Sequence, residues 1–335
     1  MAIRDEKILL GHGSGGKLMH DLIREVFVRE FAADPDARLL DSAALKLRSR
    51  KLAFTTDTYV VKPLFFPGGN IGKLAVCGTI NDLSVVGATP LFLSCGLVIE
   101  EGFDISVLRK VVRSMKRAAE GAGVQIVTGD TKVVERGSCD GLFVNTAGVG
   151  YAETFLDGKI QIGDEIIVSG SVGDHGMAIM AAREDFGLET TLRSDCAPVN
   201  GLVESLKPFF RRIRLMRDPT RGGLATVLNE FAEGTSLGIL VDEEAVPIKR
   251  SVAALSELLG LDPLYVPNEG RVVLVCSQGM GEALVRRMRF HPLGKGSVVI
   301  GKVVADYPGK VCMTTKAGGT RILDMLVSDQ LPRIC

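Results

Sequence analysis

The sequence has no net charge that would attract it to a polyanion or a lipid surface. Forty lysines and arginines balance forty aspartates and glutamates among its 335 residues. A surface without excess charge exerts little long-range attraction on nucleic acid or on anionic membranes. We therefore expect no nucleic acid and no membrane among the partners of this protein.

The seven cysteines lack the spacing of a disulfide framework or of a structural zinc site. Their number is odd, and no two of them form a C-x-x-C pair. Secreted disulfide scaffolds and zinc modules both depend on paired spacings. Most of the cysteines lie in apolar runs such as 272–276, where Cys usually acts as a small core residue. Cys335, the last residue, is the exception.

Long apolar segments are also absent from the sequence. The first seven residues lack the apolar core of a signal peptide. No run approaches the roughly 18 apolar residues that a membrane-spanning helix needs. These absences predict a cytoplasmic protein.

The length of the chain predicts two domains, because a single hydrophobic core stops growing below this size. Strand-like and helix-like segments mix throughout, so we expect an α+β (mixed α/β) fold in two halves. We divide the chain into a glycine-rich arm with its helix (1–36), an N-terminal domain (37–152), a C-terminal α/β domain (153–325) and a tail (326–335). The boundary at 153 falls in a polar stretch.

Hydrophobic periodicity predicts several of the elements within these domains. The clearest is an amphipathic helix over 104–119, and another helix is predicted over 203–212. Asp174 is a candidate cap for a helix that runs to residue 182. Two short apolar runs, 311–315 and 320–323, flank a glycine turn and predict a hairpin.

A glycine-rich loop, GHGSGGK at 11–17, lies between an apolar segment and a predicted helix. Glycines let backbone N–H groups converge on a phosphate, and a helix N-terminus favours negative charge. Leu18 stands where a P-loop has Ser or Thr, so a phosphate-binding loop of another type fits better. A flexible arm remains the alternative. The candidate phosphate ligands are Gly13, Ser14, Gly15, Gly16 and Lys17.

Five aspartates lie at the ends of apolar elements, beside glycines or small polar residues: Asp41, Asp57, Asp82, Asp130 and Asp218. Each one alone is more simply a helix cap or a turn residue. Together they suit Mg²⁺ and a nucleoside triphosphate, because Mg²⁺ prefers oxygen ligands and the phosphates need their charge neutralised. Glu269 and Lys132 add a carboxylate and an amine in loop-like contexts, where solvated surface charges are the alternative.

The last ten residues form a distinctive tail. Pro332 makes a helix or a central strand improbable there, and chain ends are usually the least ordered part of a protein. Ten extended residues reach roughly 33–36 Å. The residues alone leave two readings open: a frayed terminus, or a mobile carrier whose Cys335 thiol collects a group in one place and presents it in another.

Seven motifs together resemble the HypE family, the carbamoyl dehydratases of NiFe hydrogenase maturation. They are HGSGGK at 12–17, TTD at 55–57, ND at 81–82, GDTK at 129–132, DPTRGG at 218–223, PNEGR at 267–271 and PRIC at 332–335. The family belongs to the PurM-like (aminoimidazole ribonucleotide synthetase) superfamily. The shared motifs alone indicate an ATP-dependent PurM-like protein, and PRIC narrows the resemblance to this family.

The resemblance implies a homodimer in which the N-terminal domains form a central β-barrel, with ATP beneath the glycine-rich arm and a mobile C-terminal tail. On this basis we assign Mg²⁺ to Asp41, Asp57, Asp82 and Asp218. Further nucleotide contacts are assigned to Thr56, Asn81, Gly129 and Asp130.

The resemblance also implies partners and a reaction. HypF would make carbamoyl-adenylate and load the carbamoyl group onto Cys335. ATP would then drive dehydration of the thiocarboxamide to a thiocyanate, and the cyanide would pass to iron held by a HypC–HypD complex. Phosphorylation makes the amide oxygen a good leaving group, and a base must remove the nitrogen protons. Glu269 is the first candidate for this base, with Lys132 orienting the group.

Two other functions stay open. One is a PurM-like synthetase that acts on a free small molecule, which would leave Cys335 unused. Selenophosphate synthetase is the nearest such enzyme, but the reactive Cys expected beside its glycine loop is absent here. The other is a non-catalytic ATP-binding dimeric scaffold.

Overall fold

The computed structural model describes residues 16–22, 43–46, 51–183, 191–327, 331 and 333–335. Four of the predicted site residues, Gly13, Ser14, Gly15 and Asp41, lie outside these ranges. No helix within them is long and apolar enough to cross a membrane.

The first part of the chain forms one sheet and two large helices. Its elements are α1 (Lys17–Leu22), β1 (Ala43–Lys46), β2 (Lys51–Tyr59), β3 (Phe65–Phe66), β4 (Gly69–Asn70), α2 (Ile71–Val85), β5 (Thr89–Glu100), α3 (Ile105–Ala122), β6 (Gln125–Val134) and β7 (Leu142–Ala152). The sheet has the order β1-β2-β7-β5-β6, and only the β5–β6 pair is parallel. The short strands β3 and β4 pair separately.

Helix α2 fills the centre of this part because it is apolar on nearly all sides. Almost every one of its residues is buried. A helix without a polar face must be covered all round, and α2 packs on α3, β2 and β7. The sheet therefore has one face covered by α2.

Nothing in the described part of the chain covers the other face or the β6 edge of this sheet. Phe54 and Phe92 are more than 40% exposed, and Val127 and Val133 on β6 are 57% and 67% exposed. Strand β6 stands at the end of the strand order within the described chain. The subunit thus presents an apolar surface that a partner could cover.

The second part is a seven-stranded mixed sheet with helices on both faces. Its elements are β8 (Glu165–Val168), α4 (Asp174–Ala181), α5 (Asn200–Ser205), β9 (Ile213–Arg217), α6 (Gly223–Ala232), β10 (Gly238–Asp242), α7 (Arg250–Leu259), β11 (Val273–Cys276), α8 (Gly281–Arg289), β12 (Val298–Val304), β13 (Val311–Thr314) and β14 (Thr320–Ile322). The strand order is β14-β13-β10-β12-β8-β11-β9.

Successive side chains of the central strands belong to two separate hydrophobic cores in this part. Val273 and Val275 pack with residues of α6, whereas Leu274 and Cys276 pack with residues of α5 and α8. Successive side chains of a strand point to opposite faces, so one apolar strand supplies both layers. Another core joins the two parts of the chain, since it combines α2 with α4 and with Leu331 and Ile334 of the tail.

Several predicted elements are confirmed and two are corrected. Helix α3 has Asp104 as its N-cap, and β13 pairs with β14 as the predicted hairpin. The predicted helix over 203–212 is instead α5 followed by a 3₁₀ helix, Lys207–Arg212, with Pro208 in its first turn. Pro removes a backbone donor and ends a continuous α-helix there.

Asp174 is not a helix cap. Gly173 occupies the N-cap position of α4 at a φ of +83°, with no side-chain hydrogen bond. Asp174 is the first helical residue, and its buried carboxylate pairs with Lys249 at 2.7 Å and with Arg271 at 3.3 Å. The local pattern could not anticipate these distant cations.

Candidate active site

Strand β2 directs alternate residues toward the interior. Thr55 and Tyr59 are buried, and Asp57 has the same parity, whereas Thr56 and Thr58 are exposed. Thr56 therefore lies on the opposite face of the strand from Asp57, where its hydroxyl donates to the Thr146 carbonyl at 3.3 Å.

Helix α2 brings Asp82 and Asn81 to the same interior. Thr55 Oγ1 donates to Asp82 Oδ2 at 2.9 Å, which joins the strand to the helix. Asn81 is fully buried, and its Nδ2 donates to the carbonyls of Ala197 and Glu269 at 3.2 and 3.3 Å. In this structure its side chain braces the segments that carry the candidate base, so its role toward a nucleotide stays a prediction.

Glu269 is a buried carboxyl group, 1% exposed. Its backbone N–H donates to Asp195 Oδ1 at 3.2 Å, and its own Oε2 forms no hydrogen bond within the described part of the chain. Burial raises the pKa of Glu269 well above its usual value, and the charges of Cys196, Asp218 and Asp57 raise it further. A carboxylate with a raised pKa is a stronger base than an exposed one.

Arg221 and Tyr59 complete the group around Asp57. Arg221 Nη2 pairs with Asp57 Oδ1 at 3.1 Å. Burial alone would lower the pKa of Arg221, but Cys335 and Asp57 raise it above its ordinary value. Burial, and then Asp57 and Glu269, raise the pKa of Tyr59. Cys335 thus lies close enough to Arg221 to shift its pKa, and it packs against the core that contains Tyr59.

Asp218 joins the cluster from the end of β9. It is 5% exposed and contributes to the raised pKa of Glu269. Asp57, Asp82 and Asp218, three of the predicted magnesium ligands, thus surround one interior region. Among the residues whose placement is described, no three metal-binding side chains converge closely enough to hold a metal ion. Carboxylate oxygens are nevertheless the donors that Mg²⁺ prefers, and phosphate oxygens and water commonly complete its shell.

The end of the glycine-rich loop lies against the start of the tail. The Lys17 backbone N–H donates to the Leu326 carbonyl. A Cβ on Gly16 would collide with the same carbonyl oxygen, so only glycine permits this approach. The structure therefore joins the predicted phosphate loop to residue 326.

Three predicted residues lie together on β6. Lys132 Nζ pairs with Asp130 Oδ2 at 3.3 Å, and both side chains are more than 70% exposed. Gly129 lies where a Cβ would strike the Cys95 carbonyl of β5, so the packing of the strands already accounts for this glycine. Lys132 and Glu269, two of the three predicted catalytic residues, occupy different surroundings: Lys132 is exposed on β6, and Glu269 is buried.

The tail is seated on the body of the protein. Leu331 and Ile334 are each 3% exposed, and half-buried Cys335 packs against the core that contains α2 and α4. The Arg333 carbonyl accepts a hydrogen bond from the Lys62 backbone N–H at 3.1 Å. The predicted mobility concerns the protein without ligand and remains a prediction.

Sequence reasoning missed Arg221, Tyr59 and His175. Arg221 stands in the quoted DPTRGG run, but its partner Asp57 is distant in sequence. The only sequence signal for Tyr59 is that it lies two residues after Asp57, on the same face of the predicted strand. The sequence gives no signal for His175, which is buried and contacts Ile334.

Comparisons with known proteins agree on one family. Two family models match: AIR synthase related protein, N-terminal domain, over residues 40–152, and its C-terminal domain over residues 161–312. A carbamoyl dehydratase HypE from Rhodobacter capsulatus is 50% identical, covering 100% of this chain and 100% of its own.

Solved structures extend this agreement to the fold. A chain from a HypE–HypF complex is 45% identical with a TM-score of 0.85, covering 91% of this chain and 99% of that one. A HypE structure in complex with ATP is 46% identical with a TM-score of 0.81, covering 98% and 100%. The mixed two-part fold and the resemblance seen in the motifs are thereby confirmed. The chain belongs to the HypE family of carbamoyl dehydratases.

Proposed function

We propose that this enzyme carries a carbamoyl group on Cys335 and uses ATP to dehydrate it, as a step of NiFe hydrogenase maturation. One observation carries the proposal: Cys335 packs against the core that contains Tyr59 and raises the pKa of Arg221, which pairs with Asp57 at 3.1 Å, and Asp57 in turn raises the pKa of buried Glu269. A free-substrate synthetase would have no use for a thiol in that place. Relatives are named carbamoyl dehydratases, and one was crystallised with ATP.

The reaction divides into two chemical steps. The carbamoyl oxygen of the S-carbamoyl thiol attacks the γ-phosphoryl group of ATP and ADP leaves, while the nitrogen gives up one proton. The C–O bond then breaks, phosphate departs, and the second nitrogen proton is removed to form the S–C≡N group. The sum is thiocarboxamide plus ATP giving thiocyanate, ADP and phosphate. Glu269 serves as the base and Lys132 orients the carbamoyl group or stabilises charge.

The nucleotide would be held by two sets of residues. The glycine-rich loop, Gly13, Ser14, Gly15, Gly16 and Lys17, would contact phosphates, with Thr56, Asn81, Gly129 and Asp130 as further contacts. Asp41, Asp57, Asp82 and Asp218 would hold Mg²⁺, which supplies neutralisation of phosphate charge when it is bound. The support is the meeting of three of these aspartates in one region.

The uncovered sheet face supports a homodimer. Phe54, Phe92, Val127 and Val133 expose apolar surface next to the free edge of β6. Two such sheets joined face to face would cover it and form a central barrel. HypF, seen in complex with a related chain, is proposed as the carbamoyl donor, and a HypC–HypD complex as the cyanide acceptor. We also propose that the arm, the N-terminal domain and the C-terminal domain end at residues 36, 152 and 325.

Intact-mass spectrometry tests the function directly. The purified chain is loaded by HypF, and ATP with Mg²⁺ is then added. We expect the chain to gain one carbamoyl group and then to lose one water, with phosphate released in equal amount. Phosphate release that needs a free small molecule and no carbamoyl group would establish the synthetase reading instead. Nucleotide binding without either reaction would establish the scaffold reading.

A further inference from the structure

One buried histidine contacts the tail next to its reactive end. His175, on α4, is 0% exposed, and its Nε2 lies 3.1 Å from the carbonyl oxygen of Ile334. Ile334 directly precedes Cys335. A hydrogen bond at this carbonyl therefore restricts the backbone from which the thiol side chain projects.

The hydrogen bonds on the two sides of the ring define its tautomer. A carbonyl oxygen can only accept, so Nε2 carries the hydrogen that faces Ile334. Ser194 Oγ lies 2.8 Å from Nδ1 and accepts the Cys196 backbone N–H at 3.0 Å, and in the neutral ring its hydroxyl donates to Nδ1. Burial lowers the pKa of His175, although Asp195 and the Ile334 contact oppose the change, so the neutral ring is favoured. Neutral His175 then has one N–H, and it is directed at the tail.

Packing holds the ring in that direction. Phe66 meets the imidazole edge to face, with ring centroids 5.5 Å apart. Gly176, the next residue of α4, allows close approach to Val266, and a Cβ there would also reach Leu331 of the tail. The ring is therefore aimed before the tail arrives.

We propose that His175 is a positioning residue that seats the carrier tail, using its Nε2–H to hold the Ile334 carbonyl and so to place Cys335 at the reaction site. The proposal rests on the proposed function, in which this tail carries the reacting group.

The tail is also held two residues before its end, at Arg333. Arg333 donates from Nε to the Val60 carbonyl at 3.1 Å, and its side chain pairs with Asp140. The Arg333 and Asp140 side chains are 33% and 46% exposed, and exposed ion pairs contribute little. A buried carbonyl that loses its donor is costly by comparison. The His175 bond is thus a buried contact that fixes the backbone directly before residue 335.

The experiment compares His175→Ala with His175→Gln, whose carboxamide N–H can replace the Nε2 donor. Two rates are measured: iodoacetamide alkylation of Cys335, followed on the C-terminal peptide, and single-turnover loss of water from HypF-loaded protein with ATP. In His175→Ala we expect alkylation to rise and water loss to fall, each roughly fivefold, as one lost hydrogen bond predicts. His175→Gln should recover most of both, and carbamoyl loading by HypF should not fall in either variant.

The controls separate seating from folding and from the proposed function. Alkylation of Cys95 should match the wild type, and a cooperative thermal unfolding transition should show that each variant is folded. Unchanged alkylation and water loss in folded His175→Ala, or a Gln variant as impaired as the Ala variant, would overturn the proposal. Should His175→Ala not fold, Ser194→Ala decides: it removes the hydroxyl that holds Nδ1 and so loosens the ring, and rates equal to those of wild type would contradict the proposal. If wild-type protein never loses water, the proposed function fails while alkylation still tests the seat.

Discussion

At the scale of single residues, the proposed chemistry depends on one carboxyl group that is buried among others. Glu269 is held in place by backbone bonds to Asp195 and Asn81, while its own Oε2 is left without a hydrogen bond in the described chain. Proteins rarely bury such an oxygen without a use for it. Its raised pKa is therefore a property that can be tested in activity and in stability.

Glu269→Gln keeps the shape of the side chain but cannot accept a proton. We expect carbamoylated protein to accumulate and water loss to slow about a hundredfold or more, the usual contribution of a general base. Intact-mass spectrometry distinguishes the two forms of the tail. Glu282→Gln, at an exposed glutamate of α8, is the matched control. Water loss at the wild-type rate in Glu269→Gln would transfer the role of base to Lys132.

The raised pKa of Glu269 also makes stability depend on pH. Between its ordinary and its raised pKa, the folded protein keeps the proton and the unfolded chain releases it. The free energy of unfolding should therefore fall as pH rises through this window. Denaturant unfolding across the window measures the free energy of unfolding of wild type and of Glu269→Gln. The stability of wild type relative to Glu269→Gln should fall as pH rises. A difference in stability that does not depend on pH would mean that the pKa of Glu269 is not raised in the folded protein.

Asp82→Asn tests the proposed magnesium site. The amide oxygen of the new side chain can still accept a hydrogen bond from the Thr55 hydroxyl, so the variant should fold. The amide is uncharged, however, so it would hold Mg²⁺ less well and the phosphate charge would be less well neutralised. ATP turnover should fall about a hundredfold or more in a phosphate-release assay, with the exposed Asp306→Asn as control. Normal turnover in folded Asp82→Asn would remove Asp82 from the site.

The sequence pointed to carboxylates that the fold brings around one region, but not to their partners. Asp57, Asp82, Asp218 and Glu269 stand in short motifs whose composition is visible in one dimension. The pairing of Arg221 with Asp57, and the contact of His175 with the tail, arise only when distant segments pack together. Burial, which shifts the pKa of Glu269, is likewise a property of the folded chain.

At the scale of elements, the local sequence pattern predicts a helix or strand correctly where the residues of that element determine it by themselves. Helix α3 has a strong apolar face and a capping aspartate, and β13 and β14 flank a glycine turn. Strand β9 is not predicted from the sequence, because its arginines at 214 and 217 do not give a simple alternation of apolar and polar residues. The helix predicted over 203–212 failed at Pro208. In these cases a tertiary neighbour or one backbone constraint outweighed the pattern.

Strand β6 carries the prediction that belongs to this scale. Val127→Lys places a charge on exposed apolar surface beside the free edge, which a dimer interface would have to bury. We expect a monomer in analytical ultracentrifugation with an unchanged circular dichroism spectrum. Val112→Lys, on the exposed side of α3, is the control that should leave the assembly intact. A stable dimer in Val127→Lys would place the interface elsewhere.

At the scale of the whole molecule, the tail links both parts of the chain. Leu331 and Ile334 fill a core that contains helices α2 and α4 from the two parts, and the glycine loop touches Leu326. A seated tail serves chemistry inside the protein, but a carrier must also leave to be loaded. The seat should therefore be reversible, with the tail mobile when no ligand is bound.

Cys335→Ala separates the carrier from the rest of the molecule. Four of the other cysteines are buried and Cys95 and Cys139 are half-buried within the folded body, so none can move between two sites as a tail residue can. Because alanine keeps the backbone that His175 and Lys62 hold, the fold, the assembly and ATP binding should be unchanged, while carbamoyl loading by HypF should vanish. Peptide mass mapping after loading measures this, and Cys139→Ala should load normally. A carbamoyl group found on any other cysteine, or loading that persists in Cys335→Ala, would show that the tail is not the carrier.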